Sequence, residues 1–97
     1  MSKIYKLLIC CLLSFSVAAQ TVSVSGQVTA NDGETLPGVS VTVKGTNRGT
    51  VTDINGKYQL SNVQPKATIV FSFTGFQKVE QVLNGQSTID IQLNEST

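Results

Sequence analysis

The sequence predicts an all-β protein: a sandwich of about seven short strands, preceded by a cleavable leader. Three observations predict it. Apolar residues alternate with polar ones in several short runs, clusters of Gly, Asn, Asp and Pro punctuate those runs, and no helix-period stretch follows the first twenty residues. The turn clusters recur at roughly the 8 to 12 residue spacing expected of a sandwich.

The leader comes first. Lys3 and Lys6 form a basic head, residues 7–19 are almost uninterruptedly apolar, and Val17, Ala18 and Ala19 make a small-residue end. This is the three-part plan of a secretory signal peptide. The apolar stretch has 13 residues, whereas a membrane-spanning helix needs about 20. Cleavage between Ala19 and Gln20 places Val17 and Ala19 at the two positions that must be small; cleavage after Ala18 is the near alternative. Lipid attachment at Cys10 or Cys11 lacks the small preceding residue it requires, since Ile9 and Cys10 stand there. The expected organisation is therefore a signal peptide over residues 1–19 and one domain over residues 20–97, exported and free of thiols. Such a domain folds in an oxidising compartment without disulfides.

The strands follow in order. Val22, Val24, Gly26, Val28 and Ala30 share one face of a first strand, with Ser23, Ser25, Gln27 and Thr29 on the other. Asn31-Asp32-Gly33-Glu34 is a turn, and Leu36-Pro37-Gly38 leads to Val39, Val41 and Val43 on the inner face of a second strand. Gly45 to Gly49 breaks the chain, and residues 50–53 form a short third segment. Asn55-Gly56 is a strong two-residue hairpin signal, after which Tyr58 and Leu60 share a face. Residues 61–66, with Pro65, read as a loop, and the most apolar strand carries Ile69, Phe71 and Phe73 on one side. Gly75 interrupts that phase, as a bulge or tight bend. Residues 79–83 make a sixth strand whose facing the pattern leaves open; Asn84-Gly85 is a second hairpin signal, and Ile89, Ile91 and Leu93 close the domain. A core this small is sensitive, and Phe71→Ala or Ile91→Ala is expected to cost roughly 2 to 5 kcal/mol.

Composition removes most chemistry. From Gln20 onward there are five bases against six acids, and neither His, Trp nor Cys. A basic stripe for nucleic acid is missing, as is a polybasic membrane patch. Without His or Cys, a His-based triad, a Cys nucleophile and a His- or Cys-ligated metal site are excluded. Asp53, Asn55 and Gly56 superficially suggest a calcium loop, but the position for its bidentate Glu is Gln64. Asp53 is better read as an acceptor for backbone N–H groups of the turn. No catalytic, metal or cofactor residue is assigned.

The order of the motifs carries a resemblance. Val24-Ser25-Gly26-Gln27-Val28-Thr29, Asn31-Asp32-Gly33-Glu34, Leu36-Pro37-Gly38-Val39-Ser40-Val41-Thr42-Val43-Lys44-Gly45-Thr46, Gly49-Thr50-Val51-Thr52-Asp53 and Asn55-Gly56-Lys57-Tyr58 together resemble the carboxypeptidase regulatory-like domain. The closer resemblance is to the version at the N-terminus of SusC/RagA-type TonB-dependent outer-membrane transporters. It covers residues 22–93 and includes Phe71-Ser72-Phe73-Thr74-Gly75-Phe76 and Thr88-Ile89-Asp90-Ile91-Gln92-Leu93.

The resemblance implies a seven-stranded, transthyretin-like Greek-key sandwich in the periplasm, without catalytic residues, that precedes a plug and barrel importing glycans or peptides. A chain that stops at Thr97 is expected to be a free-standing exported domain, a truncated or split gene product, or a fragment of a longer reading frame. The expected role is a spacer or protein-interaction module whose partner is an outer-membrane transporter or another envelope protein. The alternative is a small carbohydrate-binding module, against which the lack of Trp counts. The transthyretin-like fold also hosts a ring-opening hydrolase, but its active site uses His. Phe76, out of phase behind Gly75, and Arg48, at the Asn47-Arg48-Gly49 tip, are the candidate partner contacts. A Phe76 folded over the sandwich edge fits the pattern equally. Tyr58, by parity with Leu60, belongs to the core rather than to a sugar-stacking face.

Overall fold

A computed structural model describes residues 20–96. The signal peptide assigned to residues 1–19, with Ala19 and both cysteines, lies outside the described residues, as does Thr97. Seven strands follow in order: β1 (Val22–Ala30), β2 (Ser40–Val43), β3 (Gly49–Val51), β4 (Lys57–Val63), β5 (Thr68–Ser72), β6 (Val79–Val82) and β7 (Ile91–Leu93). They form two sheets, of order β4-β1-β7 and β3-β2-β5-β6. All neighbours are antiparallel except β1 and β7. This is the expected seven-stranded sandwich. Its winding is of the Greek-key type, because the chain repeatedly leaves a sheet and returns beside an earlier strand.

The inward positions of the period-two pattern make the core. Val24, Val28, Val39, Val41, Ile69, Phe71, Leu83 and Leu93 are fully buried, with Tyr58, Leu60 and Ile89 nearly so. The facing of β6 is now settled: Val79 and Gln81 are half-buried, Glu80 and Val82 are exposed, and Leu83 continues the inner parity beyond the strand. On the outer face Glu80 accepts a 2.9 Å hydrogen bond from Lys44, which lowers its carboxyl pKa.

Two expectations are corrected. The segment read as a loop after Leu60 continues β4 to Val63. Val24 faces Leu60 but Val22 faces Val63, so β4 carries one extra residue. Asn62 absorbs it at φ 57°. The bulge restores the phase and turns Val63 inward, where strict alternation would have exposed it.

The second correction concerns both Asn-Gly pairs. Gly56 adopts φ 75° in a turn closed by its N–H donating to Asp53 O at 2.9 Å. Asn84 and Gly85 lie at φ 50° and 73°, closed by Gln86 N–H on Leu83 O at 3.0 Å. The turns form, yet the strands they join are not paired: β3 and β4 belong to different sheets, and so do β6 and β7. A local turn sets the reversal of the chain but not the partner, and here each flanking strand finds a better-matched neighbour elsewhere. Gly75 is the tight bend rather than a bulge, with Phe76 N–H donating to Phe73 O at 3.1 Å.

Thr52 is the only buried polar residue among the described residues. Its hydroxyl donates to Leu36 O at 2.5 Å and accepts from Val39 N–H at 2.9 Å. It thereby ties the Leu36-Pro37-Gly38 entry of β2 to the end of β3. The hydroxyl both donates and accepts a hydrogen bond, which is what makes its burial tolerable.

Candidate functional site

An open cleft of about 590 Å³ lies on the surface. It is built where β3 approaches the outward side of the β4-β1-β7 sheet. Ser25 and Gln27 of β1 stand opposite Gln59 and Lys57 of β4, and Thr50, Val51, Asp53 and Asp90 complete the wall. These are the polar positions of the alternating strands, so the pattern that buries Val24, Val28 and Leu60 also presents amides and hydroxyls here.

Backbone anchoring holds the wall in place. Gln27 N–H donates to Asp90 Oδ1 at 2.9 Å, and Gln27 Nε2 donates to Asn55 O at 2.9 Å. Asp53 Oδ1 accepts from Asn55 N–H at 2.9 Å and from Lys57 N–H at 3.0 Å, the turn-capping role expected of it. Among the described residues no group of three or more His, Cys, Asp or Glu could hold a metal ion.

Tyr58 lies beneath the cleft as a core residue, as its parity with Leu60 predicts. It is 4% exposed and meets Phe71 edge-on, ring centroids 5.4 Å apart at 74°. Its hydroxyl donates to Ile89 O at 2.6 Å. Burial, assisted by the Asp90 charge, pushes the phenol pKa up to about 12. The phenol therefore keeps its proton where an ordinary tyrosine ionises, which disfavours it as a base. Because the unfolded chain ionises near pH 10 and the folded one near 12, stability is expected to fall as pH rises through that window and to level off above it. Tyr58 is the only tyrosine after residue 19. An ultraviolet titration of residues 20–97 should thus show a single phenolate step near pH 12, and a step near pH 10 in the native protein would contradict the burial.

The two candidate partner contacts sit apart from this cleft's lining. Arg48 is exposed, and its guanidinium donates to the carbonyls of Ser61 and Asn62. It bridges the two sheets at the β4 bulge. Phe76 is half-buried, with its ring tilted at 37° on Phe73, centroids 5.7 Å apart. Its ring packs against the hydrophobic core and keeps part of its surface exposed. Exposed large apolar side chains are instead Val51, Ile54 and Val82. Sequence reasoning did not single out Gln27, Asp90, Val51 or Ile54. The alternation marks Gln27 as an outward position, but only the tertiary structure brings Gln27, Val51 and Asp90 to one place.

These features define a small two-sheet domain with a polar surface cleft. Residues 24–97 match the CarboxypepD_reg-like domain, and the chain belongs to that family. It is similar to the TonB-dependent receptor SusC of Bacteroides thetaiotaomicron, 42% identical over 77 residues, covering 79% of this chain and 8% of the receptor. It is similar also to the TonB-dependent receptor P3 of Formosa agariphila, 39% identical over 83 residues, covering 84% of this chain and 8% of that protein. The chain thus spans less than a tenth of the length of these relatives. Among solved structures, a chain of a type II cohesin–X-dockerin complex from Acetivibrio cellulolyticus shares the fold, with a TM-score of 0.59 at 20% identity over 73% of this chain and 52% of that one.

Proposed function

We propose that this is a non-enzymatic, exported domain that works in the periplasm with an outer-membrane TonB-dependent transporter, as a spacer or protein-interaction module. The observation that carries the reading is family membership across residues 24–97 together with relatives that are TonB-dependent receptors. The basic-apolar-small leader over residues 1–19 supports export, with release of Gln20 as the new N-terminus. The same role serves a free-standing domain, a truncated transporter or the leading piece of a longer receptor for glycan or peptide uptake.

Protein is favoured over carbohydrate as the partner. Tyr58 is turned into the core, and Phe73 and Phe76 cover one another, so the cleft offers no open ring on which a sugar could stack. Phe76 and Arg48 remain proposed contacts: the first through the part of its ring left exposed, the second through the donors not used on Ser61 and Asn62.

The test is fractionation of an epitope-tagged chain in a Gram-negative host, followed by cross-linking and intact-mass analysis. The expected result is envelope material beginning at Gln20 and cross-linked to an outer-membrane transporter. Retention in the cytoplasm overturns the reading, as does a hydrolase activity that survives repurification. Heat on titration with a glycan panel favours the carbohydrate-binding alternative.

A further inference from the structure

We propose that the free edge of β3, with the cleft beside it, receives an extended basic peptide as an added strand. The proposal rests on the protein-interaction reading and gives the partner segment a chemistry.

Hydrogen-bond parity identifies the edge. Val43 N–H donates to Arg48 O and Thr52 N–H to Val39 O, both at 3.0 Å. Residues 48, 50 and 52 therefore turn their backbone groups toward β2, and Gly49 and Val51 turn theirs the other way. On β1, Ser25 N–H donates to Ser87 O at 3.0 Å and Ser25 O accepts from Ile89 N–H at 2.9 Å, so Ser25 is spent on the β7 side. Its cross-strand partner Gln59 accordingly points its own backbone groups to the open edge of β4.

The two edges are tied at both ends and open between. At one end Asp53 N–H donates to Lys57 O at 2.8 Å. At the other Arg48 holds the carbonyls of Ser61 and Asn62. In the interval, Gly49, Val51 and Gln59 have no backbone partner on their outward side among the described residues.

Exposed strand edges are normally blunted by charge, proline or cover. Gly49-Thr50-Val51 has no charge and no proline, and Val51 and Ile54 are 63% and 83% exposed. The cleft alongside supplies the selectivity. Asp53 and Asp90 face it against one base, Lys57, and among the described residues each carboxylate accepts hydrogen bonds through Oδ1 only. An extended peptide alternating apolar and basic side chains satisfies both features: its backbone pairs with Gly49 and Val51, and its cations meet the carboxylates. A second copy fits less well, because pairing β3 with β3 brings two acidic clefts together.

The test is an amide-resonance titration of the full mature chain with a ten-residue peptide of alternating Val and Lys. Saturable shifts are expected at Gly49, Val51 and Gln59. Val51→Pro removes an outward N–H that β2 does not use and is expected to weaken binding at least about tenfold. Backbone N-methylation of the peptide on its pairing edge, or replacement of its Lys by Glu, should do the same. Should Val51→Pro misfold, Asp90→Asn keeps an acceptor for Gln27 N–H and should weaken binding of the Lys peptide by about threefold or more, with a smaller effect at high salt.

Absence of shifts at about millimolar peptide, equal binding of the methylated or Glu peptide, or shifts confined to other residues overturns the proposal. So does concentration-dependent dimerisation through the same amides without peptide. Failure here leaves export and transporter cross-linking untouched, whereas cytoplasmic retention leaves peptide binding by the purified chain intact.

Discussion

Gly26→Ala is expected to destabilise the domain by at least about 3 kcal/mol, and a chain recovered only as insoluble material is consistent with that loss. A Cβ at this position would lie 1.8 Å from Ile89 O and 2.6 Å from its carbonyl carbon. Neither is the tip of a flexible side chain, so the segment leading into β7 must move away from β1. That movement breaks two further attachments: Ile89 N–H on Ser25 O, and the Tyr58 hydroxyl on Ile89 O. Gly26 is also the cross-strand partner of Tyr58, and the phenol oxygen would stand 3.0 Å from the new Cβ. The missing side chain is thus the space through which Tyr58 reaches from β4 across β1 to the backbone at Ile89. Urea unfolding of Gly26→Ala beside Ser23→Ala, a substitution at an exposed position of the same strand, measures the effect. A midpoint unchanged from the parent would show that this close approach does not exist.

Phe71→Ala is expected to cost about 3 to 5 kcal/mol, through lost burial and the cavity left behind. Phe71 is 0% exposed. It lies on β5, opposite Val41 of β2 and Val79 of β6, and it meets Tyr58 of the other sheet edge-on at 5.4 Å. It therefore joins the two sheets as well as filling the space between them, and the ring contact alone contributes about 0.5 to 1.5 kcal/mol. A domain of this size has a total stability of only about 5 to 10 kcal/mol, so a large share is lost. Ile91→Ala, which the sequence pattern ranks alongside it, is expected to cost about half as much or less, because Ile91 is only half-buried. Denaturant midpoints of the two variants separate these expectations: equal losses would mean that the alternation, and not the packed position, decides the cost.

The inner faces were legible from alternation, since period two in Val22 to Ala30, Val39 to Val43 and Ile69 to Phe73 leaves little choice of which side is buried. The turns were legible too. What escaped the pattern were the events that break it. The bulge at Asn62 adds one residue to β4, and a rule of strict alternation reads the change of phase as the end of the strand. Both Asn-Gly turns are legible as hairpin signals, but the strands on either side of each pair elsewhere, in different sheets. Thr52 passed unnoticed because nothing in its neighbours announces that its hydroxyl will close a loop sixteen residues away at Leu36. Among the candidate contacts, Arg48 was recognised as a cation at a loop tip, but its bonding to the β4 bulge depends on a strand that lies in the other sheet.

Local order along the chain, then, determined the strand content, the buried faces, the turn positions and the narrow chemical repertoire, because each depends on residue type and on neighbours within a few positions. The pairing of strands, the approach of Ile89 to Gly26 and the gathering of Val51, Gln59, Asp53 and Asp90 at one open edge were decided only by the tertiary structure. These depend on which distant segments exchange backbone hydrogen bonds, and every N–H and C=O of the chain offers the same chemistry to any partner. Side-chain alternation says which way a strand faces; it does not say beside which strand it lies.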